Sequence, residues 1–150
     1  MSTQQHKSFL ATLNTGNNAL AMVSHNGNTP VWTLVENGVA DVVYFRYEEG
    51  HYTLHAWSKD DHLGPTINLA GVVFTVATTN NPTTFNLTNA DGKVVTLDNL
   101  TNDKEVIRLQ TRDGKELKTE IVWGDDPQRV STVGQYKLNL ELNILERNAP

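Results

Sequence analysis

Cysteine is absent from all 150 residues. A disulfide framework, a thiol nucleophile and a thiolate metal site are therefore excluded, although an extracellular life is not. Long apolar runs are missing too, so no segment has the length of a membrane-spanning helix and no transmembrane segment is expected. The opening residues, MSTQQHKSF, lack the apolar h-region of a secretory leader. That predicts a protein that is cytoplasmic or released without a classical signal peptide, and leaves the NLT sequons at Asn86 and Asn99 unused. Cationic charge is scarce: 12 Lys and Arg stand against 17 Asp and Glu, a net charge of −5. Nucleic acid is bound through Lys and Arg that release counterions, so this balance argues against it as a partner. Catalytic signatures are lacking as well: G-x-S-x-G, the Walker loop, G-x-G-x-x-G and H-E-x-x-H do not occur. The expectation is a protein that is not an enzyme and carries no cofactor.

What is present is β periodicity. In QYKLNLELNIL, Tyr136, Leu138, Leu140, Leu142 and Ile144 alternate with Lys137, Asn139, Glu141 and Asn143, which puts one face in a core and one in water. Further strands are expected at 8–13, 19–24, 31–36, 41–47, 51–57, 67–70, 72–78, 84–88, 93–98, 105–111 and 116–123. Clusters of Asn, Gly, Asp and Pro separate them, as turns require. No helical stripe competes; DNLTNDKE (98–105) has room for one helical turn.

One segment echoes another. DVVYFRYEEG (41–50) aligns without gaps on EVIRLQTRDG (105–114), with Val43 on Ile107, Phe45 on Leu109 and Gly50 on Gly114. Trp57 and Asp60-Asp61 follow the first copy; Trp123 and Asp125-Asp126 follow the second. The pattern predicts one all-β domain over 1–150 with related halves at approximately 9–70 and 73–145. Its architecture is expected to be an antiparallel two-layer β-sandwich of about 11–12 short strands with an internal two-fold repeat. The alternative is a β-trefoil or other closed β-barrel, whose length and strand count also suit the chain; the Gln-x-Trp signature of ricin-type trefoil lectins is absent.

Chemistry concentrates at WSKDDHLGPT (57–66). Sugars are held by an aromatic face against the C–H side of the ring and by carboxylates that accept hydroxyl hydrogens. Trp57, Asp60, Asp61 and His62, with His55 beside them, supply that set; Asp125 and Asp126 supply a related one. His51 and His55 share a strand face but stand roughly 13 Å apart, too far to chelate a metal together, and no metal site is expected. Adjacent aspartates point different ways and stay solvated, which argues against a glycosidase pair. The calcium-like NADGKVVTLD (89–98) lacks the dense ligand spacing of an EF-hand and reads as a hairpin turn.

Alternation separates the two tryptophans. Trp57 shares a face with His51, Thr53 and His55, opposite Tyr52 and Leu54, so it is expected to face outward. Trp123 shares a face with Leu117 and Ile121 and is expected in the core, as are Phe45, Phe74 and Trp32. The leading expectation is a non-enzymatic binding module, lectin-like in its recognition of a glycan or other surface ligand through strand-end loops. The alternatives are a structural or assembly subunit that forms a homo-oligomer through sheet faces or edges, and a membrane-targeting β-sandwich toxin component.

Overall fold

The structure, a computed structural model, describes residues 7–24, 27, 29–60, 63–119, 128–134 and 136–148. It is all-β, as the alternation predicts. The strands are β1 (Phe9–Thr15), β2 (Asn18–Val23), β3 (Val31–Glu36), β4 (Val43–Glu48), β5 (His51–Ala56), β6 (Thr66–Ala70) and β7 (Val73–Ala77). They continue with β8 (Phe85–Thr88), β9 (Val94–Val95), β10 (Lys104–Thr111), β11 (Lys118–Thr119), β12 (Gln128–Arg129), β13 (Tyr136–Lys137) and β14 (Leu140–Arg147). A 3-10 turn, Leu97–Asn99, begins just before the segment that has room for one.

The layers differ from the expectation. The main sheet is a closed nine-strand antiparallel β-barrel, not an open two-layer sandwich. The ring runs β1-β2-β3-β7-β6-β5-β8-β10-β14 and returns to β1, while β4 pairs with both β1 and β5. Closure comes from strands that change neighbour along their length. β1 pairs with β4 through Phe9–Ala11 and with β2 through Asn14 and Thr15. Period-two burial reports which face is dry and is the same for a sandwich and a barrel. It carries no information on whether β14 finds β1, and that pairing seals the ring.

The register obeys a three-fold rule in place of the expected two-fold one. Phe45 pairs with Leu54, Leu87 with Leu109, and Leu142 with Leu13. Within the hairpins Ala21 pairs with Thr33, Asn68 with Thr75 and Lys118 with Ser131. Between hairpins the pairing is cyclic: Val31 with Thr75, Val73 with Ser131, Arg129 with Thr33. This order is that of a β-trefoil, with thirds beginning at β1, β5 and β10. The echo of 41–50 in 105–114 therefore matches a fourth strand, β4, to a first strand, β10. Both place alternate residues inward and both lead to a turn whose glycine needs positive φ (Gly50 +91°, Gly114 +92°). Shared local demands explain the likeness; topology does not.

The three-fold order also sets the core. Trp32, Phe74 and Val130 hold corresponding hairpin positions and are fully buried. Trp32 meets Phe74 at 5.8 Å and Phe85 at 6.4 Å between ring centroids. In the barrel Phe9 stacks on Phe45 at 4.6 Å and meets Tyr52 edge-on at 5.6 Å. Truncation of one such ring to alanine costs about 3–5 kcal/mol. Phe45, Phe74 and Trp32 are thus where alternation puts them.

Candidate functional site

The loop after β5 is built on an alternation that holds. Tyr52 and Leu54 point into the barrel and are essentially inaccessible. The outer face, expected to be wet, is instead partly covered: Thr53 and His55 are both buried, His55 at 9% exposure. The cover is a small cluster outside the barrel, in which Leu10 and Tyr44 are buried and Val42 and Trp57 pack partly exposed against them. Leu10 and Tyr44 are cross-strand partners, as are Tyr44 and His55, whose rings lie 6.0 Å apart. Trp57 is therefore half-buried, part of it resting on aliphatic and phenol surface.

Three hydrogen bonds clamp the base of this loop. The Ala56 amide donates to the Pro65 carbonyl (2.9 Å), and the Trp57 amide donates to the Val42 carbonyl (3.2 Å). His55 Nδ1–H donates to the Gly64 carbonyl (2.9 Å), which leaves Nε2 to accept from the Thr53 hydroxyl at 3.4 Å. His55 thus supports the loop from beneath. Asp60 is exposed at the loop's outer part. Asp61, His62, Trp123, Asp125 and Asp126 lie outside the described residues. His51 does not join His55: its Nδ1–H donates to the Asn86 side-chain oxygen at 3.0 Å. The same contact engages one sequon asparagine, and Asn99, the other, accepts from the Thr96 amide at 2.9 Å. Among the described residues no group of three His, Asp or Glu side chains is placed to hold a metal ion.

Three-fold register identifies a counterpart that the sequence reading missed. Val43 corresponds to Phe85 and Ala56 to Thr111, since Val43 pairs with Ala56 and Phe85 with Thr111 where one third meets the next. Trp57 then corresponds to Arg112, Val42 to Thr84 and Pro65 to Lys115. The backbone bonds repeat accordingly: the Arg112 amide donates to Thr84 (2.9 Å) and the Thr111 amide to Lys115 (2.8 Å). In the first third the same connection is only the tight turn at Gly16 and Asn17. Loop 57–65 is thus an insertion relative to both of its counterparts.

At Arg112 an open, shallow cleft of about 490 Å³ is lined by 81–84 on one side and 111–113 on the other. Both walls are held rigidly. The Thr83 amide donates to Asn68 Oδ1 and the Leu69 amide to Thr83 Oγ1, each at 3.0 Å. Thr111 Oγ1 accepts from the Lys115 amide (3.1 Å) and donates to Asp113. That donated bond, aided by the Lys115 ammonium 3.9 Å away, holds the Asp113 carboxyl below its ordinary pKa. Arg112 and Trp57 have no chemistry in common, so no similarity of residues could have linked them; only the strand register does.

Comparison with protein-family models, with curated proteins and with solved structures finds no match to this chain.

Proposed function

We propose that the protein is a non-enzymatic binding module, lectin-like in its chemistry, that recognises a glycan or similar surface ligand through loop 57–65. The supporting observation is the combination of insertion and clamp. Where the first third has a tight turn and the last a five-residue turn at 111–115, the middle third carries a longer loop pinned by His55 and two backbone bonds. Long connections between rigid strands are where binding groups concentrate. The loop carries a half-buried indole, Trp57, and, three residues on, an exposed carboxylate, Asp60, and a clamped base spares part of the entropy of ordering it on binding. A partly exposed tryptophan backed by Tyr44 and Leu10 is the residue type that stacks on the C–H side of a sugar ring.

A glycan array tests the reading with wild-type protein, Trp57→Ala and Asp60→Ala. Reproducible hits that fall at least about tenfold in affinity (about 1.4 kcal/mol) with Trp57→Ala are expected, with a smaller loss for Asp60→Ala. Hits that survive both substitutions unchanged, or an array without hits, would remove the basis for the proposal.

A further inference from the structure

We propose that the cleft at Arg112 is a second ligand site, the three-fold counterpart of the Trp57 loop, and that it takes a small hydroxylated carboxylate such as an acidic sugar. The proposal takes its ligand class from the binding-module reading above; the site itself stands on the cleft and its groups. The cleft has a volume of about 490 Å³ and is open to solvent, so it would hold a small ligand against its floor without enclosing it.

The groups decide the ligand's chemistry. Arg112 is exposed at the cleft, and among the described residues its guanidinium has no carboxylate within ion-pair distance. The other charge in the lining, Asp113, is already matched by the Thr111 hydroxyl and by Lys115. One planar cation is therefore left to recruit an anion, and a guanidinium takes a carboxylate through two parallel hydrogen bonds. The remaining lining is neutral and polar. Thr83 Oγ1 accepts from the Leu69 amide and keeps its own proton to donate, and Thr84 and Asn81 add a hydroxyl and an amide. Asp113, ionised and anchored, can accept from ligand hydroxyls. Pro82 is the one apolar residue in the lining and, with the threonine methyls, stands in the place of an aromatic platform. A fully charged polyanion would meet Asp113 and a molecule of net charge −5, so one carboxylate among hydroxyls is the better complement.

Isotope-labelled protein titrated with glucuronate, glucose and inorganic phosphate reads the site directly through backbone amide shifts. Glucuronate is expected to move the amides of 81–84 and 111–115 with an affinity at least about tenfold above that of glucose or phosphate. Arg112→Ala, at an exposed position, should abolish that preference, and Arg112→Lys should restore only part of it because one point charge replaces a fork. Equal shifts by all three probes, no shifts in those segments, or shifts indifferent to Arg112→Ala would overturn the proposal. Failure here with Trp57-dependent array hits intact would leave the binding-module reading standing. Conversely, Arg112-dependent glucuronate shifts in Trp57→Ala would establish the cleft site even where the array is silent.

Discussion

At the scale of single residues, Tyr52 is the side chain whose chemistry is most constrained. It is 1% exposed, and its hydroxyl donates to the Lys7 carbonyl (2.8 Å) while accepting from the Leu97 amide (3.1 Å). One phenol thus ties the start of the barrel to the 3-10 turn. Tyr52→Phe keeps the ring packing and strands both partners, so it should cost about 1–3 kcal/mol in urea unfolding. Burial pushes the phenol's pKa well up, and the Leu97 amide offsets this only partly. The sign follows. A proton held more tightly in the folded state gives stability that is complete below the unfolded-state value near 10. It is lost as pH rises beyond that toward the folded value. Alkaline unfolding followed at the tyrosinate absorbance should therefore begin above about pH 10 in the wild type. In Tyr52→Phe the slope of stability against pH in that window should flatten; an unchanged slope would mean that another group governs it.

At the scale of elements, the loop 57–65 and the turn 111–115 are interchangeable in register and opposite in content. Replacing 57–64 by Arg-Asp-Gly, the residues at 112–114, should therefore preserve the pairing of Ala56 with position 65 and supply a glycine carbonyl for His55. Shortening the loop recovers a few tenths of a kcal/mol of closure entropy, while uncovering Leu10 and Tyr44 costs about 1 kcal/mol. The variant should fold with stability within about 2 kcal/mol of wild type and lose the array hits assigned to Trp57. Retained hits would move the binding surface elsewhere. Element positions were legible from sequence because a half-buried strand writes period two into its residues; 31–36 was read as the strand that is observed. The site was legible only as far as local chemistry reached. Trp57 and Asp60 stood out by residue type, but the burial of His55 depends on Tyr44 across the strand pair, which no alternation within 51–57 reports. Arg112 was invisible for the same reason: its significance lies in its register against Thr84.

At the scale of the whole molecule, the fold is decided at the seam between the first and last strands. Phe9 is the Cα partner of Arg147, and the pairing continues inward to Asn14 and Glu141. Arg147 fastens the seam further, its guanidinium bonding Asp103 (3.0 Å) and the carbonyls of Leu100 (2.8 Å) and Asn102 (3.0 Å). An open sandwich would leave β1 and β14 free to be edges; a closed ring makes them neighbours and makes the position of the chain break arbitrary. The exposed turn at Glu49 and Gly50, between the first and second thirds, is then as good a place for termini as the seam of β1 and β14. Opening there also releases Glu49 from its positive φ of 48°, a conformation costly for a residue with a Cβ. A circular permutant that begins at Gly50 and ends at Glu49, with a short Gly/Ser linker joining 148 to 7, should fold with the wild-type far-ultraviolet spectrum and a Tm within about 5 °C. A permutant opened between Ile107 and Arg108, where β10 passes from β14 to β8, should not. If the first permutant failed while the unpermuted chain stayed folded, β1 and β14 would not be the joined edges of one ring, and the three-fold register that relates Trp57 to Arg112 would lose its foundation.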